Sequence, residues 1–208
     1  MTDAALAARL DAVCADGWAL FERFDRTVRE RAFHPFVAAD YEVVRAALAG
    51  LAASGTPGGA PGRRFLEWGS ATGIVAILAD LLGFDASGIE IDGALVATAR
   101  ATAARHGSAA RFVEGSFLPA GYAWRGRDGD ARTGTLASGP SAYLALGRAL
   151  DDFDVVFGYP WGGEAPVMRD VMQRYGRADA LLLLHEVDGR VRAFRGGRDE
   201  VAIRSALV

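Results

Sequence analysis

Apolar residues recur every three or four positions over residues 2–32 (Leu6, Leu10, Val13, Trp18, Phe21, Phe24, Val28), which predicts an amphipathic helix with a break near Gly17. The His34-Pro35 step ends it, a second helical stretch follows over 38–51, and the Gly/Pro-rich string SGTPGGAPGRR then has to leave helix. Beyond that linker the period changes. Short apolar runs bounded by turn residues predict strands at 64–68, 86–91, 110–113, 153–157 and 180–186, separated by helices at 72–82, 94–105, 141–150 and 165–175. Residues 121–139, rich in Gly, Arg, Asp, Ser and Thr and without periodicity, read as a long surface loop or flexible lid. Asp188-Gly189 marks a tight turn into an antiparallel edge strand at 191–194.

Strands alternating with helices of ten to fifteen residues build βαβ units, so the expected fold is α/β: a Rossmann-like, mostly parallel sheet of about six strands with helices on both faces, plus N-terminal cap helices. The expected division is a helical cap and linker over residues 1–62 and a core over 63–208, forming one globular unit. The apolar tail VAIRSALV and the 191–194 edge are surfaces that either pair with a second copy or lie on the core, so a monomer or a homodimer is expected, with a lean to the monomer.

Composition narrows the function. With 51% hydrophobic residues in 208 the chain can bury a full core. A net charge of −3 argues against the strongly basic footprint of a nucleic-acid or anionic-membrane binder, so no nucleic acid and no membrane is expected as partner. All 23 basic residues are Arg, which reads as coding bias rather than as a binding signal. Cys14 is the single cysteine, excluding an intramolecular disulfide and a multi-cysteine zinc site; no metal site is expected, and a reducing cytoplasm is the expected location. Cys14 falls in an apolar helical pattern and reads as an inert buried thiol. The N-terminus lacks a signal-peptide pattern, and no apolar run reaches the roughly 20 residues of a membrane span.

The chemistry gathers in FLEWGSATG and GIEID. The first places Glu67 near the end of a strand, followed by Gly69 and Gly73 in the turn that opens a helix, where backbone N–H groups and the helix dipole approach a ligand. The second places Glu90 at the end of the next strand, where a carboxylate accepts from both hydroxyls of a ribose. Together they form a nucleoside-cofactor fingerprint. The turn reads GSATG, not the GxGxxG that brings backbone onto a pyrophosphate, which disfavours a dinucleotide such as NAD.

ExGxxxG, GIEID, FVEGSF and FDVVFGYPW resemble, in order and spacing, the successive motifs of class I S-adenosylmethionine-dependent methyltransferases over roughly residues 64–186. The strings LEWGS, GIEID, EGSF and YPW are also similar to a group of bacterial methyltransferase-like proteins. The resemblance implies S-adenosyl-L-methionine as cofactor. It implies that Glu67 with Gly69, Ser70, Ala71 and Gly73 holds the methionine moiety, that Glu90 holds the ribose and that Ile91 packs on adenine. Gly115, Ser116 and Phe117 stand at the third motif, with Ser116 where the family usually has an acidic residue. Ala71 departs from the family's usual glycine, and strain is expected there if the loop needs positive φ. At the fourth motif Gly158-Tyr159-Pro160-Trp161 lacks the Asn or Asp that orients a target nitrogen. Tyr159 and Trp161 either wall the pocket or stack on the substrate.

Methyl transfer from a sulfonium needs alignment, desolvation and sometimes a base. The candidate bases are His185, whose ordinary pKa lies near neutrality, then Glu186 and Glu164. His34, Asp40 and Tyr41 are candidate substrate contacts from the cap that also fit plain capping and packing. Arg125, Arg127 and Arg132 are offset by Asp128 and Asp130 and read as a solvated loop. The expected function is methyl transfer to an N or O acceptor on a small molecule or protein. The alternative is a non-catalytic S-adenosylmethionine or S-adenosylhomocysteine binder serving as sensor or assembly subunit.

Overall fold

A computed structural model describes residues 2–28, 36–54, 62–123, 136, 139–161 and 163–202. His34, the arginines of the 121–139 loop, most of the Gly/Pro linker and residues 203–208 of the apolar tail lie outside them. The elements run α1 (Asp3–Val28), α2 (Tyr41–Ala53), β1 (Arg64–Trp68), α3 (Ile74–Leu81), β2 (Asp85–Glu90), α4 (Gly93–His106), β3 (Arg111–Glu114), α5 (Tyr143–Leu146), a 3₁₀ turn (Leu150–Asp152), β4 (Val155–Gly158), α6 (Ala165–Tyr175), β5 (Leu181–His185), β6 (Val191–Arg195) and β7 (Asp199–Val201). Among the described residues no helix is long and apolar enough to cross a membrane.

The strands form one sheet in the order β3-β2-β1-β4-β5-β6-β7, parallel through β5 and antiparallel at β6 and β7. Seven strands replace the expected six. The extra one follows Gly196 and Gly197, both at positive φ, with Arg198 N–H bonded to Arg195 C=O at 2.9 Å. Two left-handed glycines match the twist of flanking strands and turn the chain back on itself.

The central strands β1, β4 and β5 are buried on both faces, which is why they read as continuous apolar runs. Phe65, Phe157 and Leu183 face one cluster with α3 and α4, while Leu66, Trp68, Val156 and Leu182 face another with α5 and α6. The first cluster also takes Leu10, Val13 and Cys14 of α1 and Tyr41, Val44 and Leu48 of α2, so the cap helices and the sheet share a core. Helix α1 runs straight through Gly17, where a break was expected. Glycine is needed there for space: a Cβ would sit 2.7 Å from the Tyr41 ring and 2.9 Å from Ile74. Gly17→Val is expected to lower stability by about 1–3 kcal/mol through overpacking, read as a fall in melting temperature.

Chain order reverses beside β1: β2 and β3 lie on one side, β4 and β5 on the other. In open α/β sheets a crevice forms outside the carboxyl ends of the strands at such a switch point.

Candidate functional site

A cleft opens at that point, lined by the end of β1 and the loop after it (Glu67, Trp68, Gly69, Ser70, Ala71, Thr72), by Phe157 and Tyr159 at the end of β4, and by Phe36, Val37, Ala39 and Tyr41 from the cap. The start of α3 closes its floor with Ile74 and Val75.

The loop is built by backbone geometry. Ser70 N–H bonds Ile89 C=O on β2 at 2.9 Å, and Gly73 N–H bonds Ser70 C=O at 2.6 Å. Gly69, Ala71 and Gly73 all have positive φ, at 66°, 43° and 82°. Among the described residues Ala71 is the one non-glycine in that region, so the strain expected for it is present, at about 1–2 kcal/mol. Gly73 is also required for space, since a Cβ there would fall 2.6 Å from the Phe112 ring.

Gly73 offers α3 no side-chain cap, and the strand supplies one instead. Glu67 Oε2 accepts the N–H of Ala76 at 2.9 Å, so the buried carboxyl closes the helix N-terminus from below. Burial pushes Glu67 well above the ordinary carboxyl range, the Ala76 N–H opposes this, and the nearby Glu90 charge adds to it. Tyr41 reaches down from α2, its hydroxyl hydrogen-bonded to Thr72, and burial together with the Glu67 charge raises its pKa.

Glu90 performs the same task for the loop. Its Oε2 accepts Ala71 N–H at 2.8 Å and its Oε1 accepts Asp92 N–H at 3.0 Å. It is also raised, by burial against those backbone donors. Ile91 beside it is 41% exposed, among the few large apolar side chains open to solvent. Gly139 approaches it so closely that a Cβ would lie 2.8 Å from Ile91 Cδ1.

The other predicted positions lie outside the cleft wall. Gly115, at φ 144°, and Ser116 carry the chain from β3 into a parallel bridge with Ser141; Ser116 Oγ accepts Leu118 N–H at 3.1 Å. Phe117 is buried and stacked on Trp68, with ring centroids 4.8 Å apart. Gly158 packs on Met168, where a Cβ would lie 2.9 Å from the sulfur. Trp161 is edge-on to Tyr159 at 5.9 Å. Glu164 is buried and holds this segment: its carboxylate accepts Trp161 N–H at 3.1 Å and Leu136 N–H at 2.9 Å.

His185 ends β5 and is buried. Its Nε2 accepts the N–H of Asp40 at 3.3 Å, which leaves the proton on Nδ1, a buried atom with no partner among the described residues. Its ring is edge-on to Tyr159 at 4.7 Å. Burial lowers its pKa while the Asp40 and Asp188 charges oppose this, so the ring is neutral at pH 7. His185 thus ties the cap to the sheet and supports Tyr159. Asp40 also caps α2, accepting from Glu42 and Val43 N–H. Phe36, Val37, Thr72 and Phe157 were not singled out by sequence reasoning; Thr72 and Phe157 lie inside FLEWGSATG and FDVVFGYPW, while no short motif marks Phe36 and Val37.

No family model matches the chain. Over 56 residues it is 43% identical to the ribosomal protein L11 methyltransferase of Thermus thermophilus, a match spanning 27% of this chain and 22% of that protein's length. Similar solved structures include an RNA methyltransferase from Salinibacter ruber in complex with S-adenosyl-L-homocysteine (18% identity, 72% of this chain and 76% of that one, TM-score 0.48). They also include a precorrin-6y C5,15-methyltransferase from Geobacter metallireducens (18% identity, 74% and 70%, TM-score 0.47).

Proposed function

We propose that the chain binds S-adenosyl-L-methionine in this cleft and transfers its methyl group to an acceptor held between the cap and the end of β4. The observation that carries the reading is the pair of buried carboxylates, Glu67 and Glu90, at the carboxyl ends of adjacent strands β1 and β2. A left-handed loop joins β1 to α3 between them, at the switch point of the sheet. The partial match to a curated methyltransferase supports the same reaction class.

The residues fit the cofactor at three points. The loop backbone and Glu67 suit an ammonium-bearing methionine end, because a buried carboxylate with a single N–H donor gains most from a cation. Glu90 presents two oxygens to a ribose diol, and exposed Ile91 offers a flat apolar face to adenine. On the other side of the adenine position, Phe117 is committed to Trp68 and Ser116 to its bridge. Adenine contact therefore rests on Ile91.

The cofactor, when bound, supplies an electrophilic methyl group on a sulfonium. The chain's part is to exclude water with Phe36, Tyr41, Phe157 and Tyr159 and to hold the acceptor in line. With His185 neutral but turned to Asp40, its role is to position Tyr159 rather than to take the acceptor's proton. The acceptor is an N or O atom of a small molecule or protein.

Incubation with methyl-labelled S-adenosylmethionine and fractionated lysate tests this. Label is expected in a small-molecule or protein fraction. Label in nucleic acid would overturn the acceptor class, and binding of cofactor with no label anywhere would replace the enzyme by the sensor alternative, which the missing fourth-motif amide favours.

A further inference from the structure

The walls of the cleft have an unusual chemistry. Its rings come from two directions: Phe36 and Tyr41 from the cap, and Phe157 and Tyr159 from the end of β4. Of the described residues that line it, Glu67 is the one carboxylate, and none is Arg or His. Aromatic faces carry negative potential and attract a cation placed over them, most strongly where water is excluded. A buried carboxylate costs free energy unless something positive or several N–H donors compensate it. Glu67 has the Ala76 N–H, and among the described residues no basic group acts on it, while Glu90 adds a second negative group nearby. The rings and the two buried carboxyls favour a positive guest.

We infer that the cleft is an onium site, and that beyond the cofactor it takes an acceptor carrying an alkylammonium group, seated among the rings of Phe36, Tyr41 and Tyr159. This rests on the methyltransferase reading and specifies its substrate class: an amine, either the methylated atom itself or a recognition handle next to it. The alkylammonium comes from one of two sources, the methionine end of the cofactor or the acceptor, and the two are separable because only an acceptor group binds alongside a bound cofactor.

The test uses choline and its uncharged isostere 3,3-dimethylbutan-1-ol as probes, titrated calorimetrically into the whole chain with and without saturating S-adenosylhomocysteine. Choline is expected to bind at least about tenfold more tightly than the isostere, and to do so in the presence of S-adenosylhomocysteine. Phe36→Leu, from the cap, and Tyr159→Leu, on the half-buried rim, are each expected to erase most of that preference. Equal binding of the two probes, or no binding of either, overturns the inference. Choline displaced by S-adenosylhomocysteine overturns it too, assigning the cation site to the cofactor alone. S-adenosylhomocysteine binding is read separately in the same experiment, so its absence strikes the methyltransferase reading and not merely the acceptor class.

Discussion

Glu90→Ala is expected to weaken S-adenosylhomocysteine binding by about 100-fold. Hydrogen bonds to a buried charged group are each worth about 1.5–3 kcal/mol, and two ribose hydroxyls are lost at once, so a penalty near 2.7 kcal/mol is a moderate expectation. The carboxylate also holds the loop: its Oε2 takes Ala71 N–H in a residue already strained at φ 43°. Without it that N–H is orphaned and the loop loses its anchor to β2, so the variant is expected to lose stability as well as affinity. Calorimetry gives the first effect and thermal melting the second. Retention of affinity within about threefold would remove Glu90 from the ribose site.

The second large effect concerns Glu67 and pH. Burial raises its folded pKa well above the ordinary carboxyl value, so the native state binds this proton more tightly than the unfolded chain does. Stability therefore falls as pH rises from the ordinary carboxyl range, near 4.3, towards the folded value, and above that the full cost of the buried charge is present. Glu67→Gln removes the titration while keeping an acceptor for Ala76 N–H. The variant is expected to be more stable than wild type at pH 7–8, with the difference shrinking as pH is lowered towards the ordinary carboxyl range. Glu90 titrates in the same direction, so a weaker pH slope persists in the variant. Denaturant melts of both proteins across pH measure this. A variant less stable than wild type at pH 8 would mean that the helix-capping charge outweighs its desolvation.

What the sequence made legible was local. The run RFLEW, the small residues of the turn and the acid of GIEID fall on β1, its loop and the end of β2, because strand period, turn chemistry and spacing all act within some thirty residues. The parallel order followed from strand–helix alternation. Gly17 misled because its composition signals a helix break, whereas its reason for being there is the Tyr41 ring, 24 positions away in sequence. The seventh strand was missed although Gly196-Gly197 is a hairpin signal of the same kind as Asp188-Gly189, which was used. The 199–201 segment itself, DEV, is too short and charged to read as a strand.

The site was half legible. Glu67, Gly69, Ser70, Ala71 and Tyr159 line one cleft, and Glu90 braces its loop. Phe117 went to the core because Trp68, on the opposite face of β1 from Glu67, provides a stacking partner that spacing could not reveal. His185 and Glu164 looked like bases because they are ionisable and stand at strand and loop ends. Their partners, Asp40 N–H 145 residues away and Leu136 N–H 28 away, exist only in the fold. The cap's contribution of Phe36 and Val37 came through no motif at all.

Calorimetric titration of the intact chain with S-adenosylhomocysteine, with NAD as control, asks whether the cleft between β1, β4 and the cap is an S-adenosyl cofactor site. A single saturable site for S-adenosylhomocysteine, no heat with NAD, and a rise in melting temperature of a few degrees at about a hundredfold excess over Kd are expected. Absence of both heat and thermal shift with S-adenosylhomocysteine, or saturable binding of NAD instead, would contradict that assignment.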